Sequence, residues 1–175
     1  MSLKSTIILL DTMVVAGIFA VTKKHEKIEQ HKAEWKRAIK SIISEIANPY
    51  LRVATPVCFE LMCWNKEWRN FILNDKRKIF QFAYYPVTND VIMTATEYAV
   101  NCQMEFFDGA VHKVKTVDPL IAAYSLLGGH YILTENQQDF PESYFKIVKC
   151  EILLLDQRKG GLNRRVLYLL KPKQV

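Results

Sequence analysis

A single aspartate interrupts the most apolar stretch of the chain, and this feature constrains the fold more than any other. Residues 7–15 read Ile-Ile-Leu-Leu-Asp-Thr-Met-Val-Val, so Asp11 stands where only hydrocarbon is expected. A buried carboxylate is costly, and a chain keeps one there only with a partner or a use. If residues 5–10 form a buried strand, Asp11 lies at the carboxyl end of that strand, where open α/β sheets bind ligands. Asp11 is therefore the first candidate functional residue.

Strands and helices alternate along the first part of the chain. Residues 5–10 are rich in β-branched residues and leucine without polar alternation, which predicts a strand buried on both faces. Apolar residues recur at helical spacing between 26 and 47, which predicts an amphipathic helix that Asn48-Pro49 ends. Residues 52–54 predict a second short strand, and Thr55 is the expected N-cap of the helix that follows.

The alternation continues through the rest of the sequence. It predicts an extended segment at 79–87, helices at 88–104 and 120–127, a strand at 131–134, and two strands at 147–155 and 165–170 joined by a hairpin turn. This order predicts an α/β protein, a three-layer α/β/α sandwich with a mostly parallel central sheet. At 175 residues we expect one domain over residues 1–155, with residues 156–175 as a hairpin extension of the same domain.

The charge balance indicates what kind of partner to expect. The formal net charge of +6 favours a polyanion, with RNA or DNA as the first candidate. The four cysteines show neither metal-binding nor disulfide spacing, which is typical of a reducing compartment. Asp11 opposes membrane insertion of the apolar N-terminal stretch by about 2.5 to 3.5 kcal/mol. We therefore expect a cytoplasmic protein without a membrane partner.

Four carboxylates occupy comparable positions near the ends of the predicted strands. Asp11 follows the first strand and Glu60 lies in the helix after the second. Asp118 opens a later helix, and Asp139 lies in the loop after the strand at 131–134. Parallel strands share one edge for their carboxyl ends, so we expect these acids to converge. Converging carboxylates repel one another unless a cation lies among them, and oxygen ligands favour Mg²⁺ or Mn²⁺ over zinc. Such an acidic metal site on a basic protein suits phosphodiester hydrolysis.

Each acid also has a purely structural interpretation. Asp11 can pair with a buried lysine or arginine, although none lies nearby in the sequence. Asp118 is a good helix N-cap, and a cap and a catalytic role can coexist. Glu60 can be a solvated helix carboxylate, as most glutamates are, although its neighbours are apolar. Asp139 can belong to a turn before Pro141. The coincidence of all four acids at successive strand ends favours the functional interpretation.

The segments around the acids can be compared with known motifs. They read Ile-Leu-Leu-Asp11-Thr12, Thr-Pro-Val-Cys-Phe-Glu60-Leu, Val-Asp118-Pro-Leu-Ile-Ala-Ala and Leu-Thr134-Glu-Asn136-Gln-Gln-Asp139-Phe140. In this order they resemble the four motifs of the PIN-domain ribonucleases, most of all the VapC-like toxins of prokaryotic toxin–antitoxin modules. The resemblance covers roughly residues 5–150, and its third and fourth segments are the most specific.

The resemblance implies a fold, an activity and a set of site residues. The fold is a three-layer α/β/α sandwich, the activity is metal-dependent endonucleolytic cleavage of RNA, and the expected assembly is a homodimer. Asp11, Glu60 and Asp118 would be the catalytic acids that hold Mg²⁺ or Mn²⁺, with Asp139 as a fourth, more variable member. The supporting polar residues would be Thr12, Thr134 and Asn136.

Several alternatives stay open. The long charged helix and the C-terminal hairpin make the chain longer than a minimal toxin, so the resemblance allows both a toxin with an antitoxin partner and an RNA-processing enzyme. A catalytically inactive RNA-binding or scaffold module would share the fold, although a decayed site would be expected to lose some of the acids. A haloacid dehalogenase-type phosphotransferase also has an aspartate after its first strand, but its usual second aspartate is replaced here by Met13.

Overall fold

The protein is an α/β protein with one open mixed sheet and six helices in the part of the chain that the structure describes. This computed structural model describes residues 5–20, 28–74, 82–83, 85–102, 107–108, 113–114, 117–156 and 161–173. In chain order the elements are β1 (Thr6–Leu10), α1 (Thr12–Phe19), α2 (Ile28–Ile43), β2 (Pro49–Ala54), α3 (Thr55–Trp64), α4 (Lys66–Asn74), β3 (Phe82–Ala83), α5 (Asn89–Asn101), β4 (Phe107–Asp108), β5 (Lys113–Val114), α6 (Val117–Gly128), β6 (Tyr131–Thr134), β7 (Phe145–Asp156) and β8 (Leu162–Pro172).

The five longer strands of the sheet lie in the order β2-β1-β6-β8-β7, and the two-residue strand β3 extends the sheet beside β2. Strand β1 pairs in parallel with both β2 and β6. Strand β8 pairs antiparallel with both β6 and β7. The α/β prediction is confirmed, but the sheet is mixed, because the C-terminal hairpin enters it antiparallel. The hairpin extension also contributes an interior strand, since β8 lies between β6 and β7.

Both faces of the sheet are covered at its centre. Ile8, Leu9 and Leu10 are consecutive in β1 and fully buried. Because successive side chains of a strand point to opposite faces, protein must pack on both sides of β1. The predicted strand is therefore confirmed, and Asp11 follows it directly at the carboxyl edge of the parallel pairs.

Helices α1 and α2 pack through an unusually close contact. Gly17 of α1 faces the indole of Trp35 in α2, which is almost completely buried. A Cβ atom at position 17 would fall within the space that the indole ring occupies. Glycine is therefore required where the two helices cross.

Several element boundaries differ from the predictions. The helix predicted at 26–47 runs from 28 to 43, and its residues 26–27 lie outside the described part. The helix after β2 begins at Thr55 itself with Ala54 as N-cap, so the N-cap prediction for Thr55 is wrong. The Thr55 hydroxyl instead accepts a hydrogen bond from the Tyr85 amide at 3.2 Å. Of the extended segment predicted at 79–87, residues 79–81 and 84 lie outside the described part, and Phe82–Ala83 form the short strand β3.

Two predicted helix starts have different outcomes. Thr88 caps α5 as expected, with its hydroxyl accepting from the Val91 amide at 3.4 Å. Helix α6 begins at Val117, so Asp118 is its second residue and the N-cap interpretation of Asp118 is wrong. Within the described residues, no helix combines the length and the apolar character that crossing a membrane requires.

Candidate active site

Asp11 is held at the carboxyl end of β1 by hydrogen bonds to both of its side-chain oxygens. Its Oδ1 accepts from the Thr12 amide at 2.5 Å and its Oδ2 from the Thr134 hydroxyl at 2.7 Å. The backbone amide of Asp11 donates to the carbonyl of Leu133 at 3.0 Å, which ties the residue to the end of β6. Asp11 is also the N-cap of α1 and is only 5 % exposed. The carboxylate is therefore both buried and fixed in orientation.

Glu60 reaches the same place from helix α3. The hydroxyl of Thr12 donates to Glu60 Oε2 at 2.5 Å, so the amide and the hydroxyl of one threonine serve two different acids. Helix α3 starts directly after β2, the strand beside β1, and this order brings Glu60 to the edge where Asp11 lies. The glutamate is partly buried and is not a solvated surface carboxylate.

Asp118 and Asp139 complete the cluster from the other side. Asp118 lies in the first turn of α6, and Asp139 lies in a short 3-10 turn at 137–139 after β6. The two carboxyl groups are close enough for Asp139 to raise the pKa of Asp118. The Asn136 side-chain amide donates to Asp139 Oδ2, while the Asn136 backbone amide donates to the Thr134 hydroxyl at 2.9 Å. The chain after β6 is thus folded back toward the acids.

The four acids form one electrostatic unit, which we call the acid cluster (Asp11, Glu60, Asp118 and Asp139). Burial, together with repulsion from Asp11, Asp139 and Glu60, raises the pKa of Asp118 to about 8. Burial also raises the pKa of Asp11 to about 6, although hydrogen bonds from Thr134 and Thr12 oppose the shift. Every charged group that perturbs these two pKa values is itself an acid. The cluster therefore has an unbalanced negative charge when it is fully ionised.

The chemistry of the acid cluster suits a hard divalent cation. All of the side-chain ligands available are carboxylate oxygens, with threonine hydroxyls beside them, and no histidine belongs to the set. The described residues contain no three His, Cys, Asp or Glu side chains already arranged to hold a metal ion. The carboxylates instead accept hydrogen bonds from hydroxyl and amide groups. The ligand type fits Mg²⁺ or Mn²⁺, whereas the present orientations are those of a hydrogen-bonded network.

Two residues that sequence reasoning missed contact the loop after β6. The Tyr98 hydroxyl donates to the backbone carbonyl of Asp139, and Tyr98 is almost fully buried in α5. Arg165 of β8 pairs with Glu135 at 3.0 Å. In the sequence, Tyr98 has only the spacing of a core residue, and the position of Arg165 depends on a strand order that local patterns do not encode.

The structure brings together all the residues that the sequence singled out. The four acids interact electrostatically, and the three supporting residues Thr12, Thr134 and Asn136 donate hydrogen bonds to them. Their chemical roles are not shown by this geometry alone and remain predictions. Comparison of the chain with protein-family models, with curated proteins and with solved structures gives no match.

Proposed function

We propose that the protein is a metal-dependent endoribonuclease of the PIN-domain type. The observation that carries the proposal is the convergence of Asp11, Glu60, Asp118 and Asp139, from four separate segments, at the carboxyl edge of the parallel strands. A buried group of like charges is destabilising by itself, and such groups are concentrated at functional sites. The cover on both faces of β1 supports the finer expectation of a three-layer sandwich.

The acids and the residues that donate hydrogen bonds to them would have different roles in the reaction. Asp11, Glu60 and Asp118 would hold Mg²⁺ or Mn²⁺, with Asp139 as a fourth member. When bound, the ion supplies an activated water molecule and stabilises the negative charge that develops on the phosphate. Thr12 and Thr134 donate to Asp11 and Glu60 and so fix the orientation of these carboxylates. Asn136 does the same for Asp139.

The choice of RNA as the substrate rests on charge and on the resemblance. The net charge of +6 favours a polyanionic partner even though the acid cluster is negative, so binding requires basic surface around an acidic site. A recessed carboxylate cluster favours single-stranded or looped RNA, whose backbone can bend toward it. A homodimer, an antitoxin partner and a cytoplasmic location belong to the same proposal.

The test is cleavage of a fluorescently labelled hairpin RNA in Mn²⁺ by the wild type and by single variants. Asp11→Asn and Asp118→Asn should each reduce cleavage by more than about a hundredfold. This is a larger loss than the removal of a residue that only hydrogen-bonds to a metal ligand usually causes. Asp90→Asn is the matched control, because Asp90 is an exposed acid in the first turn of α5, outside the cluster. It should cleave as the wild type does.

Two results would contradict the proposal. Cleavage that persists in Asp118→Asn would place the activity elsewhere. Binding of RNA by the wild type without any cleavage in Mg²⁺ or Mn²⁺ would instead indicate a catalytically inactive RNA-binding module.

A further inference from the structure

A cavity of about 880 Å³ lies at the edge of the sheet opposite the acid cluster. It is bounded by the start of β1 at Ser5–Ile7, the start of β6, the end of α6 and the end of β8. Asp11 follows the other end of β1, so the length of that strand separates the two sites by about 17 Å. The volume is in the range of small-molecule sites, and nothing in the proposed cleavage reaction uses this cavity.

Two lysines give the cavity a positive charge. Lys171 near the end of β8 and Lys173 just after that strand both line it. Within the described residues neither lysine takes part in an ion pair. Glu97 of α5 is the single acid among the described lining residues. Two ammonium groups on one cavity match a phosphate monoester, which carries a charge of about −1.5 to −2, better than they match a monocarboxylate.

Flat rings form another part of the cavity wall. Tyr131, Tyr144 and His130 all line it and are partly buried. The Nζ atom of Lys171 lies 5.7 Å from the centre of the Tyr131 ring, so the charged and the aromatic walls adjoin each other. The His130 ring lies against Gly128, and a Cβ atom at position 128 would occupy the same space as the imidazole. Rings of this kind stack on a flat heteroaromatic ligand without selecting one base strictly.

We propose that this cavity binds a nucleoside phosphate, with Lys171 and Lys173 on the phosphate group and Tyr131 and Tyr144 beside the base. The hydroxyls of Thr6 and Thr94, which also line the cavity, supply hydrogen bonds to the sugar or the phosphate. The ligand chemistry is shared by a free nucleotide and by the terminal nucleotide of an RNA chain. This binding does not depend on the acid cluster or on a divalent metal.

The experiment is calorimetric titration of the whole protein in EDTA, so that metal binding at the acid cluster does not contribute. The ligands are AMP, CMP, GMP and UMP, the corresponding nucleosides, inorganic phosphate, and a trinucleotide with a terminal phosphate. At least one mononucleotide should bind at least tenfold more tightly than its nucleoside and than inorganic phosphate. Tighter binding of the trinucleotide assigns the site to an RNA end, and tighter binding of a mononucleotide assigns it to a free nucleotide.

Matched variants locate the binding. Lys171→Ala/Lys173→Ala should weaken binding at least tenfold, and Lys171→Arg/Lys173→Arg should restore most of it. Lys36→Ala/Lys40→Ala removes the same charge from the exposed face of α2 and should change the Kd by less than twofold. The proposal is overturned if no mononucleotide binds, if the nucleosides bind equally well, or if both alanine pairs behave alike. Nucleotide binding in EDTA and RNA cleavage in Mn²⁺ are separate measurements, so either proposal can fail while the other holds.

Discussion

Thr134 is the residue on which the orientation of the acid cluster depends most. Its hydroxyl donates to Asp11 Oδ2 at 2.7 Å and accepts from the Asn136 amide at 2.9 Å, and the residue is fully buried. One side chain thus fixes both the first acid and the loop that carries Asp139. This dual contact could not be read from the sequence, where Thr134 was identified only through the resemblance and its partners belong to a distant strand.

We predict that Thr134→Val lowers the free energy of unfolding by about 1 to 3 kcal/mol. The reason is that the buried Asp11 carboxylate and the Asn136 backbone amide both lose a hydrogen-bond partner. The pKa of Asp11 should rise further, since the Thr134 hydroxyl is one of the groups that hold it down. Chemical denaturation measures the first effect, and NMR titration of the carboxyl carbon measures the second. Thr96→Val, on the exposed side of α5, should change stability by less than about 0.5 kcal/mol. Equal losses in the two variants would contradict the role given to Thr134.

The raised pKa values of Asp11 and Asp118 predict how the stability of the metal-free protein depends on pH. Both groups hold their protons to a higher pH in the folded protein than their ordinary pKa of 3.8, so the folded state binds more protons than the unfolded chain in this window. Stability should therefore fall as the pH rises from about 4 through 6, where Asp11 ionises, to about 8, where Asp118 ionises.

Asp118→Asn tests this dependence directly. Thermal melts in EDTA should show a higher Tm for the variant than for the wild type at pH 8, and the two should converge below pH 4. The comparison with the wild type cancels the opposite contribution of His130, whose pKa burial lowers. A variant that is less stable than the wild type at pH 8 would show that Asp118 stabilises the fold and does not strain it.

At the scale of elements, local patterns predicted most helices and strands but not how they associate. The run at 5–10 and the Gly128-Gly129 end of α6 were predicted correctly because they depend on local burial and backbone freedom. The N-cap prediction at Thr55 was wrong because the helix begins one residue earlier, and the Thr55 hydroxyl accepts a hydrogen bond from Tyr85, thirty residues away. The position of β8 between β6 and β7 was not predicted, because strand order is set by long-range pairing.

The crossing of α1 and α2 gives a prediction at this scale. Gly17→Ala should lower the free energy of unfolding by about 1 to 3 kcal/mol, because the added methyl group overlaps the Trp35 ring in a packed core. In the background of Trp35→Leu the same change should cost much less, so the two substitutions should be non-additive in a double-mutant cycle. Additive losses, measured by urea denaturation, would show that position 17 does not limit the approach of the helices.

For the molecule as a whole, the acid cluster predicts stabilisation by a cation. At a concentration about one hundred times its Kd, Mn²⁺ should add about 2.7 kcal/mol of stability, which raises the Tm of a chain of this size by about 5 to 10 °C. The double variant Asp11→Asn/Asp118→Asn should show no such shift. Thermal melts of the wild type in Ca²⁺ and in Mg²⁺ measure how selective the site is among divalent cations. An equal shift in the double variant would mean that the metal binds elsewhere.

The position of β8 has a consequence for how the chain acquires its structure during synthesis. All four acids precede β8 in the sequence, but among the described strands β8 is the single sheet neighbour of β7 and covers the open edge of β6. Until residues 162–172 have left the ribosome, the strand that ends in Thr134 keeps an unpaired edge, which is a hazard for aggregation. A nascent chain that stops after Asp156 should therefore already contain all four acids and the partners of Asp11, while the outer edge of β6 stays open to pairing with other strands.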